Sequence, residues 1–342
     1  MRQWQHLRPR VASMASIFRL RSAVVSAVHK FYDQEEFYYT NPPIIVRSDA
    51  EGAGETFTIT QTHRNFFGLK DKKSRLTVSS QLHLEAMMMG LGKVWTLSPT
   101  FRAEKSITSR HLCEFWMLEA EFLADQLQDL TSNLASLLRF VVNELRKGDI
   151  LTELITTLPQ VEAYRENEIL SRWDNLAQTK WTEMSYDEAI KQLIPQHDIK
   201  PFDIAPVAGN PLQSEHEQFI ASLFSTPVFV THYPATIKPF YMQKSEDKRS
   251  VNNFDLIVPE MGEIAGGSLR LDDLAELREI MEENRMDRHE LRWYRDLRRW
   301  GSVPHGGYGL GFDRFIAYLA GVDNVREIVA FPRFYGTSGC QN

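Results

Sequence analysis

Between Val94 and Phe122 the chain reads VWTLSPTFRAEKSITSRHLCEFWMLEAEF, which sets Arg102, Glu104, Arg110, His111, Glu114, Glu119 and Glu121 in or beside two alternating segments. Trp95, Leu97, Phe101 and Ala103 alternate with polar residues on the way in, Phe115, Met117 and Ala120 on the way out, and Lys105 to Arg110 form a polar tip. That period predicts an antiparallel hairpin with a chemically equipped loop. An arginine on so stiff a scaffold can grip a phosphate through two parallel hydrogen bonds, so the hairpin could hold a nucleotide.

An Arg-x-Glu pair alone is more often a surface ion pair than a ligand clamp, so the other charged clusters decide its meaning. Residues 251–270, VNNFDLIVPEMGEIAGGSLR, put Asp255 and Glu263 on adjoining strand positions, followed by Gly266, Gly267 and Arg270. Two carboxylates suit magnesium, which keeps several waters and binds through one or two acids plus substrate phosphates, and the glycines let a ligand approach the backbone closely. Residues 301–314, GSVPHGGYGLGFDR, form a glycine loop running into an apolar helix, Phe315 to Leu319, with Gly311 and Arg314 at the junction. A planar guanidinium there could stack and pair at once. Residues 49–55, DAEGAGE, make a glycine-rich turn carrying Glu51 and Glu55, and residues 76–85, LTVSSQLHLE, begin as a strand and turn helical through Met87, Met88 and Met89, carrying Gln81 and Glu85.

These side chains need a frame, and the apolar pattern supplies one. Ile17, Leu20, Val24, Val28 and Phe31 stripe one face of a helix, then Phe37 to Tyr39 and Ile44 to Val46 flank Asn41, Pro42 and Pro43 as an edge strand broken by proline. Apolar positions 127, 130, 134, 137, 138, 141 and 145 predict an amphipathic helix ending near Lys147 and Gly148. Residues 150–211 read as a helical and loop-rich insertion, punctuated by Pro195, Pro201, Pro206 and Pro211, with Trp173, Trp181 and Tyr186 marking buried patches. Val228 to Thr231 and Phe240 to Met242 predict two strands about a turn. Leu271 to Trp300 reads as helical and heavily charged; one unbroken helix would put Arg285, Arg288, Arg292, Arg295 and Arg299 on one face, which interleaved acids favour as a salt-paired, solvated surface over an RNA-facing stripe.

The 342 residues, 43% of them hydrophobic, can bury a large core, and no apolar run is long enough to span a bilayer, so no membrane partner is expected. Two cysteines, Cys113 and Cys340, argue against a disulfide framework or a structural zinc site and for a reducing intracellular setting. A net charge of -6 does not suit extensive nonspecific contact with nucleic acid, so RNA would have to be held through local patches. The first thirty residues are basic, serine-containing and free of acid before Asp33, which also suits an organellar presequence; a mitochondrial matrix location is expected, with the cytoplasm as alternative.

In order and spacing the F-R-A-E, R-H-L and E-F strings of residues 94–122 resemble motif 2 of the class II aminoacyl-tRNA synthetases, in the subclass for aspartate, asparagine and lysine. Residues 11–46, with Pro43, resemble motif 1, which forms that family's dimer interface, and G-L-G-F-D-R within residues 301–320 resembles motif 3. Where aspartyl members carry a lysine three residues after the glutamine, this chain has Leu84, with Glu85 beside it, the pattern of asparaginyl-tRNA synthetases. The resemblance implies a single catalytic domain over residues 1–342 with an α+β fold, an antiparallel sheet of about six strands flanked by helices. It implies ATP and Mg2+, asparagine and tRNA(Asn) as partners, and a homodimer through the motif 1 region. Carried over residue by residue, it makes Arg102 and Arg314 catalytic and assigns ATP to Arg102, Glu104, Arg110, His111, Phe115, Glu263, Gly311 and Arg314. It assigns the amino acid to Glu51, Gln81, Glu85, Gly266 and Arg270, and the metal to Asp255 and Glu263. Glu85 would accept from the substrate's amide and repel aspartate. Such enzymes usually carry an N-terminal barrel that reads the anticodon, and the chain opens at what resembles the linker after it, so no such domain is expected. A relative that makes asparagine from aspartyl-adenylate, or a silent one that binds an amino acid or a partner, are the alternatives.

Overall fold

The stripe read at Ile17, Leu20, Val24, Val28 and Phe31 forms the buried face of helix α1 (Ala12–Gln34), all five side chains being enclosed. The structure, a computed structural model, describes residues 4–47, 56–60, 74–106, 108–158, 163–284, 286 and 290–336. Strands β1 (Tyr38–Tyr39) and β2 (Ile45–Val46) follow on either side of the prolines; β2 joins a small sheet with β3 (Thr58–Ile59) and β4 (Ser74–Leu76). Helix α2 (Gln81–Leu91) then leads to the expected hairpin, β5 (Lys93–Phe101) and β6 (Glu114–Leu123), paired antiparallel with Phe101 opposite Glu114 and Trp95 opposite Ala120.

The amphipathic run forms α3 (Leu127–Leu145), whose start is fixed by Asp129 accepting the Gln126 backbone N–H. Residues 150–211 are more regular than their prolines suggest. They contain α4 (Ile150–Thr157), α5 (Ala163–Ala177), strand β7 (Thr182–Ser185) and α6 (Tyr186–Ile199), the last begun by a reciprocal Ser185–Glu188 cap, and Trp173 and Tyr186 are buried as read. Then come α7 (Ser214–Ser222), β8 (Val228–Thr231), β9 (Asn253–Val258), β10 (Gly262–Leu269), α8 (Leu274–Glu283), α9 (Arg292–Arg299), β11 (His305–Gly311) and α10 (Phe312–Leu319).

Among the described residues the main sheet has eight strands in the order β1-β5-β6-β11-β10-β9-β8-β7. The expected number was about six, and the inner six, β5 to β8 in that order, are indeed antiparallel throughout; the two edges, β1 on β5 and β7 on β8, are parallel additions. These edge strands are too short to carry a legible alternation. One other expectation fails. Phe240 to Met242 is not a strand paired to β8, which runs beside β9; Met242 makes an isolated bridge to Arg270 instead. Leu271 to Trp300 is helical but not one unbroken helix: α8 and α9 are separate, Arg285 and Arg288 lie outside the described residues, and Arg298, which the charge pattern did not single out, is buried.

One face of the sheet carries the main core with α1, α3, α5 and α10. The other is covered at one end by α6 and α7, and at the other by α8 and α9 with Val78, Leu82 and Tyr241. Between those covers the middle strands present polar side chains to a cleft. Alternation on β6 turns Leu118, Ala120 and Phe122 to the core and Phe115, Met117, Glu119 and Glu121 to the cleft. On β10 a bulge between Glu263 and Ala265 changes the parity: Ile264 and Ala265 both go to the core, so Glu263 shares the cleft with Gly266 and Arg270. Asp313 ties three segments together, accepting from Arg21 of α1 and from the Trp116 backbone N–H of β6.

Candidate active site

The cleft has two chambers. The first, about 700 Å³, is floored by β6, β10 and β11 and walled by the loop after β5. Arg102, Glu104, Arg110, His111 and Phe115 reach it from the hairpin, Glu263 from β10, and Gly311 with Arg314 from the β11–α10 junction. All eight residues expected at the nucleotide therefore line one space. The Arg102 guanidinium carbon stands 5.6 Å from the Phe115 ring centre, and Arg314 donates to the Glu263 carbonyl at 2.9 Å while lying 3.7 Å from its carboxylate. Burial first, then the Arg314 charge, lowers the His111 pKa, so the ring is neutral near pH 7.

The second chamber, about 800 Å³, adjoins the first and shares Arg102, Met117, Glu263 and Gly309 with it. Gln81, Gly266 and Arg270, three of the five residues expected at the amino acid, line it, as do Asp255 and the apolar Leu84. Register explains the convergence, because Asp255, Gly266, Gly309 and Glu119 stand opposite one another across four strands. Arg270 forks onto Glu121, Nε to Oε1 at 2.8 Å and Nη2 to Oε2 at 3.0 Å, and donates to Ser268 Oγ at 2.6 Å. Glu119 accepts from Ser79 Oγ at 2.5 Å and from the Ser80 N–H at 2.9 Å.

Glu85 does not stand where the spacing suggested. It is fully enclosed and absent from the chamber wall, its carboxylate accepting from Tyr294, Arg298 and His305. A helix turn carries it behind Gln81, whose Nε2 donates to it at 3.2 Å, so the Gln81 carbonyl is the acceptor left for the chamber. Burial by itself would raise the Glu85 pKa, but Arg298, then His305 and Arg270 reverse this and hold it well below the usual range. Glu51 and Glu55 lie outside the described residues.

Asp255 and Glu263 do face the same space: a Cβ on Gly266 would stand 3.2 Å from Asp255 Oδ1 and 3.6 Å from Glu263 Oε1. Burial and then the neighbouring Glu263 push the Glu217 pKa up to about 6; burial also raises Asp255, where the Lys238 charge opposes the rise and Glu263 adds to it. Converging carboxylates of this kind suit a divalent cation. Lys238 is part of the same arrangement, its Nζ 2.7 Å from Asp255 Oδ2. Lys238, Glu121, Glu119 and Glu217 were missed as site residues. Carrying the alternation on from Phe115 would have found the two β6 acids; nothing in the spacing marks Glu217 or Lys238.

A family model described as tRNA synthetases class II (D, K and N) matches residues 2–335. The chain belongs to that family. Among similar synthetases, the mitochondrial asparagine–tRNA ligase of Schizosaccharomyces pombe is 44% identical, covering 98% of this chain and 73% of its own, and the asparagine–tRNA ligase of Alkaliphilus oremlandii is 40% identical over 97% and 73%. Among solved synthetases, asparaginyl-tRNA synthetase from Pyrococcus horikoshii complexed with asparaginyl-adenylate superposes with TM-score 0.87 at 33% identity, over 99% of this chain and 73% of that one. The class II catalytic fold expected from the motifs is thus the fold of this synthetase.

Proposed function

We propose that the chain is an asparagine–tRNA ligase that activates asparagine with ATP and transfers it to tRNA(Asn). The observation that carries this reading is the shared wall between the chambers, where Arg102 and Glu263 border both. An amino acid in one chamber and ATP in the other would bring the α-carboxylate and the α-phosphate together at that wall.

In the first step a carboxylate oxygen of asparagine attacks the α-phosphorus and pyrophosphate leaves, giving asparaginyl-adenylate. An α-carboxyl titrates near about 3.5 and is already ionised, so no general base is required. The protein aligns the two groups and neutralises charge on the phosphorus oxygens. Arg102 acts at the α-phosphate, Arg110 and Arg314 at the outer phosphates; Phe115 and Arg314 enclose the adenine, with Glu104 and the neutral His111 at its edge and Gly311 leaving room for it. Asp255 and Glu263 would hold Mg2+, which supplies further charge neutralisation at the phosphates. In the second step a hydroxyl of the terminal tRNA ribose attacks the carbonyl carbon and AMP leaves.

Selectivity follows from donors and acceptors at the far end. Arg270 donates to the substrate's side-chain carbonyl, while the Gln81 carbonyl and Glu121 accept from its amide nitrogen. An aspartate oxygen would meet those acceptors with none of its own protons to give, and Leu84 offers it no cation. Glu85 serves this selection through Gln81 in place of touching the ligand, and Glu51 remains the partner proposed for the ammonium. The exposed apolar side chains Tyr38, Tyr39, Ile44 and Ile45 of the motif 1 region support a homodimer there, and the mitochondrial relatives support a matrix location.

Amino-acid-dependent ATP–pyrophosphate exchange with asparagine and aspartate side by side, followed by charging of tRNA(Asn), tests the proposal. Exchange with asparagine and charging of that tRNA support it; exchange with aspartate alone overturns it.

A further inference from the structure

Behind the amino-acid chamber, α2, α9 and the start of β11 meet in a charged cluster that no step of the reaction uses directly. Arg298 Nη2 donates to Glu85 Oε2 at 2.7 Å, and Tyr294 Oη lies 2.9 Å from both Glu85 oxygens. His305 Nε2 faces the same carboxylate at 3.1 Å while its Nδ1 faces the Val303 carbonyl at 2.7 Å. Both neighbours of that ring are acceptors, so the imidazole bridges the Glu85 carboxylate and the Val303 carbonyl. Arg298 is held in turn: its Nε donates to the Leu271 carbonyl at 2.9 Å and its guanidinium carbon lies 4.3 Å from the Tyr294 ring centre. The Arg298 and Glu85 side chains are both 0% exposed.

Glu85, Glu121 and His305 bring three potential ligand atoms within 4.8 Å of one another, which on distance alone could hold a metal. The guanidinia decide otherwise. Arg298 occupies Glu85 and Arg270 occupies Glu121, so the positive charge in this cluster is already built in. The cluster is connected to the chamber twice, through Gln81, which Glu85 orients, and through Glu121, which carries the Arg270 fork.

We propose that Arg298 is a specificity-determining positioning residue: with Tyr294 and His305 it fixes the Glu85 carboxylate, so that Gln81 turns its carbonyl to the chamber and the Glu121–Arg270 pair keeps its geometry. This rests on the ligase reading above. If Arg298 is removed, Glu85 is a buried, undercompensated charge that can relax only by taking a proton or by moving against Glu121, and either change disturbs the acceptors that select an amide.

The test uses the full chain with three variants, Arg298→Met, Arg298→Lys and the double variant Glu85→Leu with Arg298→Met, in pyrophosphate exchange with each amino acid, alongside thermal unfolding. Arg298→Met is expected to lower kcat/KM for asparagine about tenfold to a hundredfold and to narrow the asparagine-over-aspartate ratio, with KM for ATP within about twofold of the unmodified value. Arg298→Lys keeps the charge without the fork and recovers part of the ratio. The double variant removes both charges, so it keeps the fold, and its ratio is nevertheless narrowed. A folded double variant with the original ratio overturns the proposal, as does an equal loss for both amino acids in Arg298→Met. Absence of asparagine-dependent exchange in the unmodified protein refutes the ligase reading and this inference with it, a result distinguishable because it precedes any substitution.

Discussion

Glu217 accepts the Arg110 guanidinium at 3.1 Å and, through the same Oε2, the Glu263 backbone N–H at 3.0 Å. One carboxylate of α7 thus ties the loop after β5 to the strand that carries Glu263. Arg110 also reaches the Glu263 carbonyl, at 3.2 Å. Glu217→Ala is expected to raise KM for ATP about tenfold, by freeing a guanidinium proposed for the outer phosphates, with KM for asparagine within about twofold. Steady-state exchange measures both, and equal rises would place Glu217 in the general fold.

Arg102 borders both chambers, which fits a group acting on the charge that develops during reaction. Arg102→Met should lower kcat by about a hundredfold to a thousandfold while asparagine binding, read by calorimetry, is retained. Loss of binding with kcat intact would contradict the role proposed for it.

Two glycines of β11 separate packing from chamber shape. A Cβ at Gly307 would collide with the Glu121 carboxylate and the Ala120 carbonyl, a rigid obstruction; one at Gly309 would come 2.6 Å from Met117 Cε, the end of a flexible side chain. Gly307→Ala should therefore impair folding. Gly309→Ala should fold, with the Met117 tip displaced into the chambers, and lose about tenfold in kcat/KM. Urea unfolding alongside exchange kinetics distinguishes the two.

Glu85→Gln breaks a buried, fully paired carboxylate and should cost about 3 kcal/mol at pH 7. The folded pKa of Glu85 lies below the ordinary carboxylate value, because Arg298, His305 and Arg270 outweigh burial. Its contribution is therefore complete above the unfolded value near about 4.3 and is lost as pH falls from there toward the depressed folded one. Urea unfolding of both proteins should give a difference that is flat from neutral pH to about pH 5 and shrinks below about pH 4. A difference that grows with acidity would contradict the assignment.

Much of this arrangement could be read from residue order. The α1 stripe, the β5–β6 hairpin and the gathering into one chamber of the eight residues proposed for the nucleotide needed only local period and motif spacing. What stayed hidden depends on partners distant in the chain. Glu85 looked like an acceptor facing substrate because the residues that enclose it, Tyr294, Arg298 and His305, lie more than two hundred positions away. The bulge after Glu263 reverses a side-chain parity that simple alternation would have continued into the core. Strand β7 is too short to show a period, and the charge density of residues 271–300 concealed the break between α8 and α9.

A crystal structure of the protein with a non-hydrolysable asparaginyl-adenylate analogue would show whether both chambers hold one ligand. The adenine is expected against Phe115, the phosphate beside Arg102, and the side-chain amide between Arg270, Glu121 and Gln81. An analogue bound outside this cleft, or one whose amide points away from Arg270, would contradict it.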